Sequence, residues 1–275
     1  MLEENITHLP ETNFAVLDDL SGAQVVLSAE HPYFSHHKVV GHKVLPGVVY
    51  LELAMQAAKL LYPTFNIDSL EDSVWMQPIV CVAESVTLKV LLCVDGFNLK
   101  YQLCDDDKVY AHGTLCQRSS VNGPPSVGLD AREQVAQNSL RRISRRQSYQ
   151  AFSDMGIDYG RYFQRINYVD IHHNQAIALL SDNDGSIITL ANLLDCSFQS
   201  GMAISIGEHQ DALMPFSLGI LKFHQSPERL NKHSYYVLTR KDSPFRTNIT
   251  IFDEEYQPMI SVYDLGVKAT LLSTQ

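Results

Sequence analysis

From Pro46 the chain runs PGVVYLELAMQAAKLLYP without a breaker until Pro63, and its polar positions are Glu52, Gln56 and Lys59, four and three residues apart. That spacing places them on one narrow stripe of a helix. The rest of the circumference is apolar or small, as expected of a helix with a sheet wrapped around it. Strand-like runs follow: VWMQPIVCV, SVTLKVLLCVD, FNLKYQLCD and KVYAHGTLCQR, broken at Asp95-Gly96 and at Asp105-Asp106-Asp107. The segment SSVNGPPSVGLDA gathers Ser, Asn, Gly and Pro, the composition of a linker.

Beyond it the order partly recurs. A short helical piece, RQSYQAFSDMG, leads to strands RINYVDIHH and QAIALLS, and then to a second mostly apolar helix, TLANLLDCSFQSGMAISI. Four more runs of strand character close the chain: LMPFSLGILKFH, HSYYVLTRK, FRTNITIFD and PMISVYDLGVKATLL. The pattern predicts a duplicated α+β unit, with a first half over residues 1–118, a linker over 119–140 and a second half over 141–275. No residue-by-residue repeat accompanies it.

The chemistry concentrates at two places. In LANLLDCSFQ, Asp195 and Gln199 are i and i+4 and share a helix face. A carboxyl buried in an apolar helix keeps its proton towards neutrality and is a ready general acid. This segment alone also allows the plainer reading, which it favours: Asn192 and Asp195 simply begin the helix or face solvent. The other place is HHKVVGHKVLPG, where His37, Gly41 and Pro46 have the spacing H-x-x-x-G-x-x-x-x-P and Gly47 opens the first buried helix. Proline at a helix start gives up no needed donor. Glycine there lets a carbonyl approach free amides at the positive end of the helix dipole. A histidine beside that carbonyl could take its α-proton.

HKVVGHKVLP resembles the histidine motif of the dehydratase domains of modular polyketide synthases. GIDYGRYF (156–163) is similar to that family's G-x-x-Y-G-x-x-F segment, DCSFQ (195–199) to its D-x-x-x-Q/H segment, and LMPFSLG (213–219) to its L-P-F-S strand. The four occur in family order across most of the chain. The resemblance implies a double-hotdog fold and syn loss of water from a 3-hydroxyacyl thioester borne on the phosphopantetheine arm of an acyl carrier protein. It makes His37 the base and Asp195 the acid, with Gln199 orienting Asp195, the Gly47 amide receiving the thioester carbonyl and Tyr159 near the hydroxyl or tunnel wall. Gly41, Pro46, Gly160, Phe163 and Pro215 are the motif scaffold. No cofactor or metal is implied. The expected partners are the carrier protein, neighbouring synthase domains and a second copy in a homodimer.

His36 stands where relatives commonly carry Asp, and on an extended segment it points away from His37. Arg161 stands where many have Pro, and THLPETNFAVLDDL is degenerate where many begin with a hairpin. His42 is expected near the pocket mouth or on the surface. Pro46 and Asp195 weigh against a double-bond isomerase on the same fold. A cyclase or pyran-forming domain is less firmly excluded, and an inactive structural module is the remaining rival. Arg141, Arg142, Arg145 and Arg146 form a basic run that could dock an acidic carrier, although a solvated helix start is the preferred reading.

Composition narrows the remainder. With 275 residues, 45% hydrophobic and 19% charged, the chain can bury a core. A net charge of −10 argues against nucleic acid or an anionic membrane as partner. Five cysteines without a C-x-x-C pair suggest buried reduced thiols. His172-His173 has no carboxylate or thiol at ligand spacing. MLEENITHLPETNF has no basic-then-apolar leader, and no apolar run reaches the roughly 20 residues of a membrane helix, so a cytoplasmic chain is expected.

Overall fold

The computed structural model describes residues 12–119, 139–182, 188–207, 213–227, 230 and 232–269. The linker expected over 119–140 lies almost entirely outside them. In the first half come β1 (Phe14–Val16), β2 (Gly22–Ser28), a single turn α1 (Pro32–Ser35), β3 (His37–Val39), β4 (His42–Lys43), the long α2 (Gly47–Leu61), β5 (Ser69–Trp75), β6 (Ser85–Asp95), β7 (Asn98–Cys104) and β8 (Val109–Cys116). The second half holds β9 (Arg141–Ser144), α3 (Arg145–Asp154), β10 (Ile157–Tyr159), a 3-10 turn (Arg161–Phe163), β11 (Ile166–His172), β12 (Gln175–Ser181), the long α4 (Leu190–Ile204), β13 (Leu213–Phe223), β14 (Ser234–Ser243), β15 (Arg246–Phe252) and β16 (Pro258–Ala269).

The duplication is visible in the sheet. Its order is β1-β2-β6-β7-β8-β5-β13-β16-β15-β14-β12-β11-β9. In each half the strand before the long helix sits beside the second strand after it. The third and fourth strands follow, and the first strand after the helix comes last. That rule gives β2-β6-β7-β8-β5 in one half and β12-β14-β15-β16-β13 in the other. The two equivalent strands β5 and β13 pair antiparallel, Ser69↔Lys222 through Ser217↔Val74, and fuse the halves into one curved sheet. This is the double-hotdog arrangement, with one long helix in the hollow of each half.

The helices are buried as their patterns require. In α2, Val49, Leu53, Ala54 and Ala57 have no exposed surface, while Lys59 and Leu60 at the far end reach solvent. In α4, 13 of 15 residues are buried, which leaves no solvent face for Asp195 to occupy. Its N-cap is Thr189, whose side chain accepts from the Asn192 N–H, so the reading in which Asn192 and Asp195 begin the helix does not hold. The buried hydroxyls are satisfied within the helix and its sheet: Ser197 donates to the Leu193 carbonyl and Ser200 to that of Ser197.

Three local expectations are corrected. The run VWMQPIVCV is a strand only as far as Trp75; Pro78 offers no N–H for a ladder, and one bridge, Val44↔Val80, is all that continues. The stretch with a degenerate beginning does form a hairpin, with Phe14↔Val25 and Val16↔Ala23, placing β1 at one edge of the sheet. Cys93 is exposed, while Cys81, Cys104, Cys116 and Cys196 are buried, and none of the five is paired.

Thr189 caps α4 and also meets the Tyr162 hydroxyl at 2.5 Å. Thr189→Ala is expected to cost ~1–2 kcal/mol in urea unfolding, and Thr189→Ser to restore most of it.

Candidate active site

His37 is presented by a hairpin too short to be read as strands. β3 and β4 pair Lys38↔Lys43 and Val39↔His42 across the two-residue loop Val40-Gly41. Both loop residues are left-handed, at φ 50° and 79°, the geometry of a type I′ turn. Gly41 meets that demand without cost, whereas Val40 is held there by its N–H donating to the Gly156 carbonyl at 2.7 Å. On the other side β3 pairs with β10, bringing Tyr159 directly opposite His37. Their rings stand 5.4 Å apart, and the Phe163 ring lies 5.9 Å from the imidazole.

The same hairpin sets the tautomer of His37. Nδ1 is 2.7 Å from the Val44 carbonyl, which can only accept, so Nδ1 carries the proton and the lone pair is on Nε2. His37 is 3% exposed, and burial pushes the pKa of its ring down to about 4. It is therefore a neutral base at physiological pH.

Asp195 is 8% exposed, and burial pushes its carboxyl up to about 7, against the opposing hydrogen bond from Gln199. Gln199 Nε2 donates to Asp195 Oδ2 at 2.8 Å and to the Phe163 carbonyl at 3.0 Å. Phe163 is fully buried, and its carbonyl also accepts from Cys196 Sγ at 3.1 Å. The motif residues outside the pocket hold these groups in place. A Cβ on Gly160 would lie 2.7 Å from the His36 ring and 2.9 Å from its Cα, and the Gly160 N–H donates to the His36 carbonyl at 2.8 Å.

His37, Tyr159, Gly47, Asp195, Gln199 and Pro215 line one cavity. Pro46 is the N-cap of α2 and Gly47 its first residue, so the Gly47 amide is among those with no carbonyl to meet inside the helix. Trp75 Nε1 donates to the Gly47 carbonyl at 2.8 Å, and a Cβ on Gly47 would meet that nitrogen at 3.0 Å. The cavity thus combines an imidazole that burial keeps neutral, a carboxyl pushed up to about 7 and a helix N-terminus within otherwise largely apolar walls.

Similarity to known proteins agrees with this geometry. The family model described as "Polyketide synthase dehydratase domain" matches residues 15–103, and that described as "Polyketide synthase dehydratase N-terminal domain" matches residues 129–271. The chain belongs to the polyketide synthase dehydratase family. It is 30% identical over 260 residues to polyketide synthase PksN of Bacillus subtilis, covering 87% of this chain and 5% of that protein. It is 26% identical over 212 residues to polyketide synthase ThaG of Burkholderia thailandensis, covering 73% and 4%. The chain thus spans about a twentieth of the length of these relatives. Among solved structures, the dehydratase domain from the CurF module of curacin polyketide synthase superposes with a TM-score of 0.79 at 19% identity, covering 94% of this chain and 97% of that one. A trans-AT polyketide synthase dehydratase domain from Brevibacillus brevis gives 0.79 at 20% identity, covering 95% and 97%.

In this dehydratase chain the two histidines neighbouring His37, His36 and His42, do not line the cavity. His36 is not extended but caps α1, and its Nδ1 accepts from the Tyr162 N–H at 2.9 Å. His42 is exposed in β4. Among the described residues no group of three or more His, Cys, Asp or Glu is gathered as a metal site needs, and no helix is long and apolar enough to cross a membrane. The basic run divides. Arg142 makes a two-pronged pair with Asp170, at 2.7 and 2.6 Å, and lies 4.2 Å over the Tyr168 ring. Arg141 donates to the Ile206 carbonyl at 3.1 Å beyond the end of α4, Arg145 is partly buried, and Arg146 is exposed.

Residues not singled out from sequence complete the site. Trp75 anchors the start of α2, Cys196 and Tyr149 crowd the Phe163 carbonyl, and Lys241 lines the cavity near Ser205. A lone Trp in an apolar strand carries a signal of sorts, since a buried indole N–H must find an acceptor. Tyr149 carries none.

The shifts predict a pH signature. Asp195 holds its proton more tightly folded than unfolded, so its stabilising contribution is whole below about 3.8 and is lost as pH rises through about 7. Asp195→Asn is therefore expected to gain Tm relative to the unaltered chain between pH 4.5 and 7.5. A difference that does not vary with pH would show a carboxyl titrating normally.

Proposed function

We propose that this dehydratase domain removes water from a 3-hydroxyacyl thioester presented on the phosphopantetheine arm of an acyl carrier protein during polyketide extension. The observation that carries the reading is that His37, with its lone pair on Nε2, and Asp195, whose carboxyl burial pushes up to about 7, line one cavity.

The thioester carbonyl is received by the Gly47 amide, at the positive end of the α2 dipole. That polarisation acidifies the C2–H bond, and His37 Nε2 takes the proton as the electron pair moves towards the carbonyl oxygen. Return of the pair forms the C2=C3 bond and breaks C3–O. The Asp195 proton joins the departing hydroxyl, which leaves as water. Transfer of a proton from His37 to Asp195 by way of solvent resets the pair. Each step uses side chains and a backbone amide, so the reading calls for no cofactor. The solved structures in this family include two inactive mutants of the CurK dehydratase, one with histidine replaced by phenylalanine and one with aspartate by asparagine. Neighbouring synthase domains are the natural setting, as the relatives are polyketide synthases, and a homodimer with a carrier protein as transient partner completes the proposal.

Intact-mass analysis of a 3-hydroxyacyl-loaded carrier protein, with each alcohol epimer separately, tests it. One epimer should lose one water; His37→Ala and Asp195→Asn should each slow that loss by about 10³-fold or more while remaining folded. Near-normal turnover in either variant would remove that residue from the mechanism. The active form requires His37 neutral, above about 4, and Asp195 protonated, below about 7. kcat/KM should thus be bell-shaped in pH with limbs near those values.

A further inference from the structure

We propose that Tyr149 is a positioning residue for the reaction: its hydroxyl fixes the Gln199 amide so that Nε2, and not Oε1, faces Asp195. The proposal rests on the dehydratase reading above and deepens it at the same site.

Tyr149 lies in α3, outside every motif that marks the family in this sequence. Its hydroxyl oxygen accepts from the Ile166 N–H at 3.0 Å, so its own proton must point elsewhere. Two acceptors are in reach, Gln199 Oε1 at 3.2 Å and the Phe163 carbonyl at 3.3 Å. A primary amide has a donor end and an acceptor end and can bind a carboxyl with either. The phenol proton occupies the acceptor end of Gln199, while the Phe163 carbonyl and Asp195 Oδ2 occupy the donor end. Two of the three partners of Gln199, Tyr149 and the Phe163 carbonyl, therefore fix it from residues that do not line the cavity. Asp195 receives an N–H on Oδ2, and the other oxygen is left to carry the proton that the reaction needs.

An independent observation supports the arrangement as a device of the fold. Glu52 is the sixth residue of α2 and Gln56 the tenth; Asp195 is the sixth residue of α4 and Gln199 the tenth. Gln56 Nε2 donates to Glu52 Oε1 at 3.3 Å, and Gln56 Oε1 accepts from the Thr12 hydroxyl at 2.7 Å. Both halves thus hold a carboxyl by the same relay, hydroxyl to glutamine to carboxyl. The two copies differ in what the carboxyl faces. Glu52 accepts from the Tyr33 hydroxyl at 3.2 Å and does not line the cavity, whereas Asp195 does.

The charged and titratable groups around Asp195 are His37 and Tyr159 in the cavity wall, Cys196 beside it on α4, Tyr149 and Arg145 on α3, Arg165 before β11, and Lys241 further along the cavity. Replacing Tyr149 by Phe changes none of their charges. It leaves the ring contacts to Phe152 and Tyr159, at 5.8 and 6.1 Å, in place. It removes the donor to Gln199 Oε1, so the Gln199 bond that favours ionised Asp195 should loosen; it also removes the acceptor of the Ile166 N–H, a loss that the Gln199→Ala background shares and the double variant therefore subtracts.

The test uses Tyr149→Phe, Gln199→Ala and the double variant, assayed by loss of water from carrier-bound substrate and by 13C NMR titration of the Asp195 carboxyl. Tyr149→Phe is expected to lower kcat by about 10- to 100-fold with little change in KM. It should also raise the Asp195 midpoint and carry the alkaline limb of the rate profile upward with it. In the Gln199→Ala background, Tyr149→Phe should do neither. A lowered rate with an unmoved midpoint, or an equal effect in both backgrounds, would make Tyr149 a packing residue and overturn the proposal. The titration reads the relay even where no substrate turns over, so failure of the dehydratase reading is seen separately, as an unaltered chain that releases no water. Should Tyr149→Phe not fold, 3-fluorotyrosine at position 149, a stronger donor of the same shape, should lower the midpoint; an unchanged midpoint would overturn the proposal equally.

Discussion

Everything at this site depends on burying two ionisable side chains, His37 and Asp195, in the wall of one cavity. Bringing either His37 or Asp195 into that cavity as an ion would be expensive, and among the described residues neither makes an ion pair that would offset the cost. Burial favours the neutral form of both, and the proposed chemistry uses that. Burial lowers the affinity of the imidazole for a proton and raises that of the carboxyl, which is the pairing the proposed base and acid need. The scaffold serves this constraint. The Val44 carbonyl fixes one tautomer, the Gln199 amide holds one carboxyl oxygen, and the 13 buried residues of α4 exclude solvent from behind. The two shifts also oppose each other in stability. Between about pH 4 and 6.5 the depressed histidine favours folding as pH rises, while the raised aspartate disfavours it.

Duplication explains how two such residues come from opposite halves. β5 and β13 occupy the same place in each half and pair with each other, which sets α2 and α4 side by side at the centre. The cavity forms where the start of α2 meets the middle of α4, so Gly47 and Asp195 belong to different copies of one plan. His37 is joined to the second half by a separate small sheet, β10-β3-β4. The residue-level trace of duplication that the linear sequence hides is Glu52-x-x-x-Gln56 against Asp195-x-x-x-Gln199. It emerges only when the helices are aligned from their first residues, because the segments around them differ in length and composition.

Much of this is legible in the linear sequence. The two long helices stand out because burial on nearly every side leaves so few polar positions, and spacing alone puts Gly47, Asp195 and Gln199 on them. His37 is distinguished from its two neighbouring histidines by its spacing to Gly41 and Pro46, and it is the one of the three that lines the cavity. What the sequence conceals is structure made by partners distant along the chain. β3, β4 and β10 are two or three residues long and exist because they pair with each other, so no periodicity announces them. His36 turns towards the Tyr162 amide for the same reason. Pro78 cuts a run whose apolar content promises a longer strand. Tyr149 is invisible because a tyrosine in a short polar helix says nothing about a glutamine 50 residues later.

The most direct measurement is 15N NMR of His37 in the isolated domain at pH 6. The account predicts a neutral ring with Nδ1 protonated and Nε2 bare, at a pH where an ordinary histidine is largely charged. An imidazolium at that pH, or a neutral ring with its proton on Nε2, would contradict the account, since neither could take the α-proton as the mechanism requires.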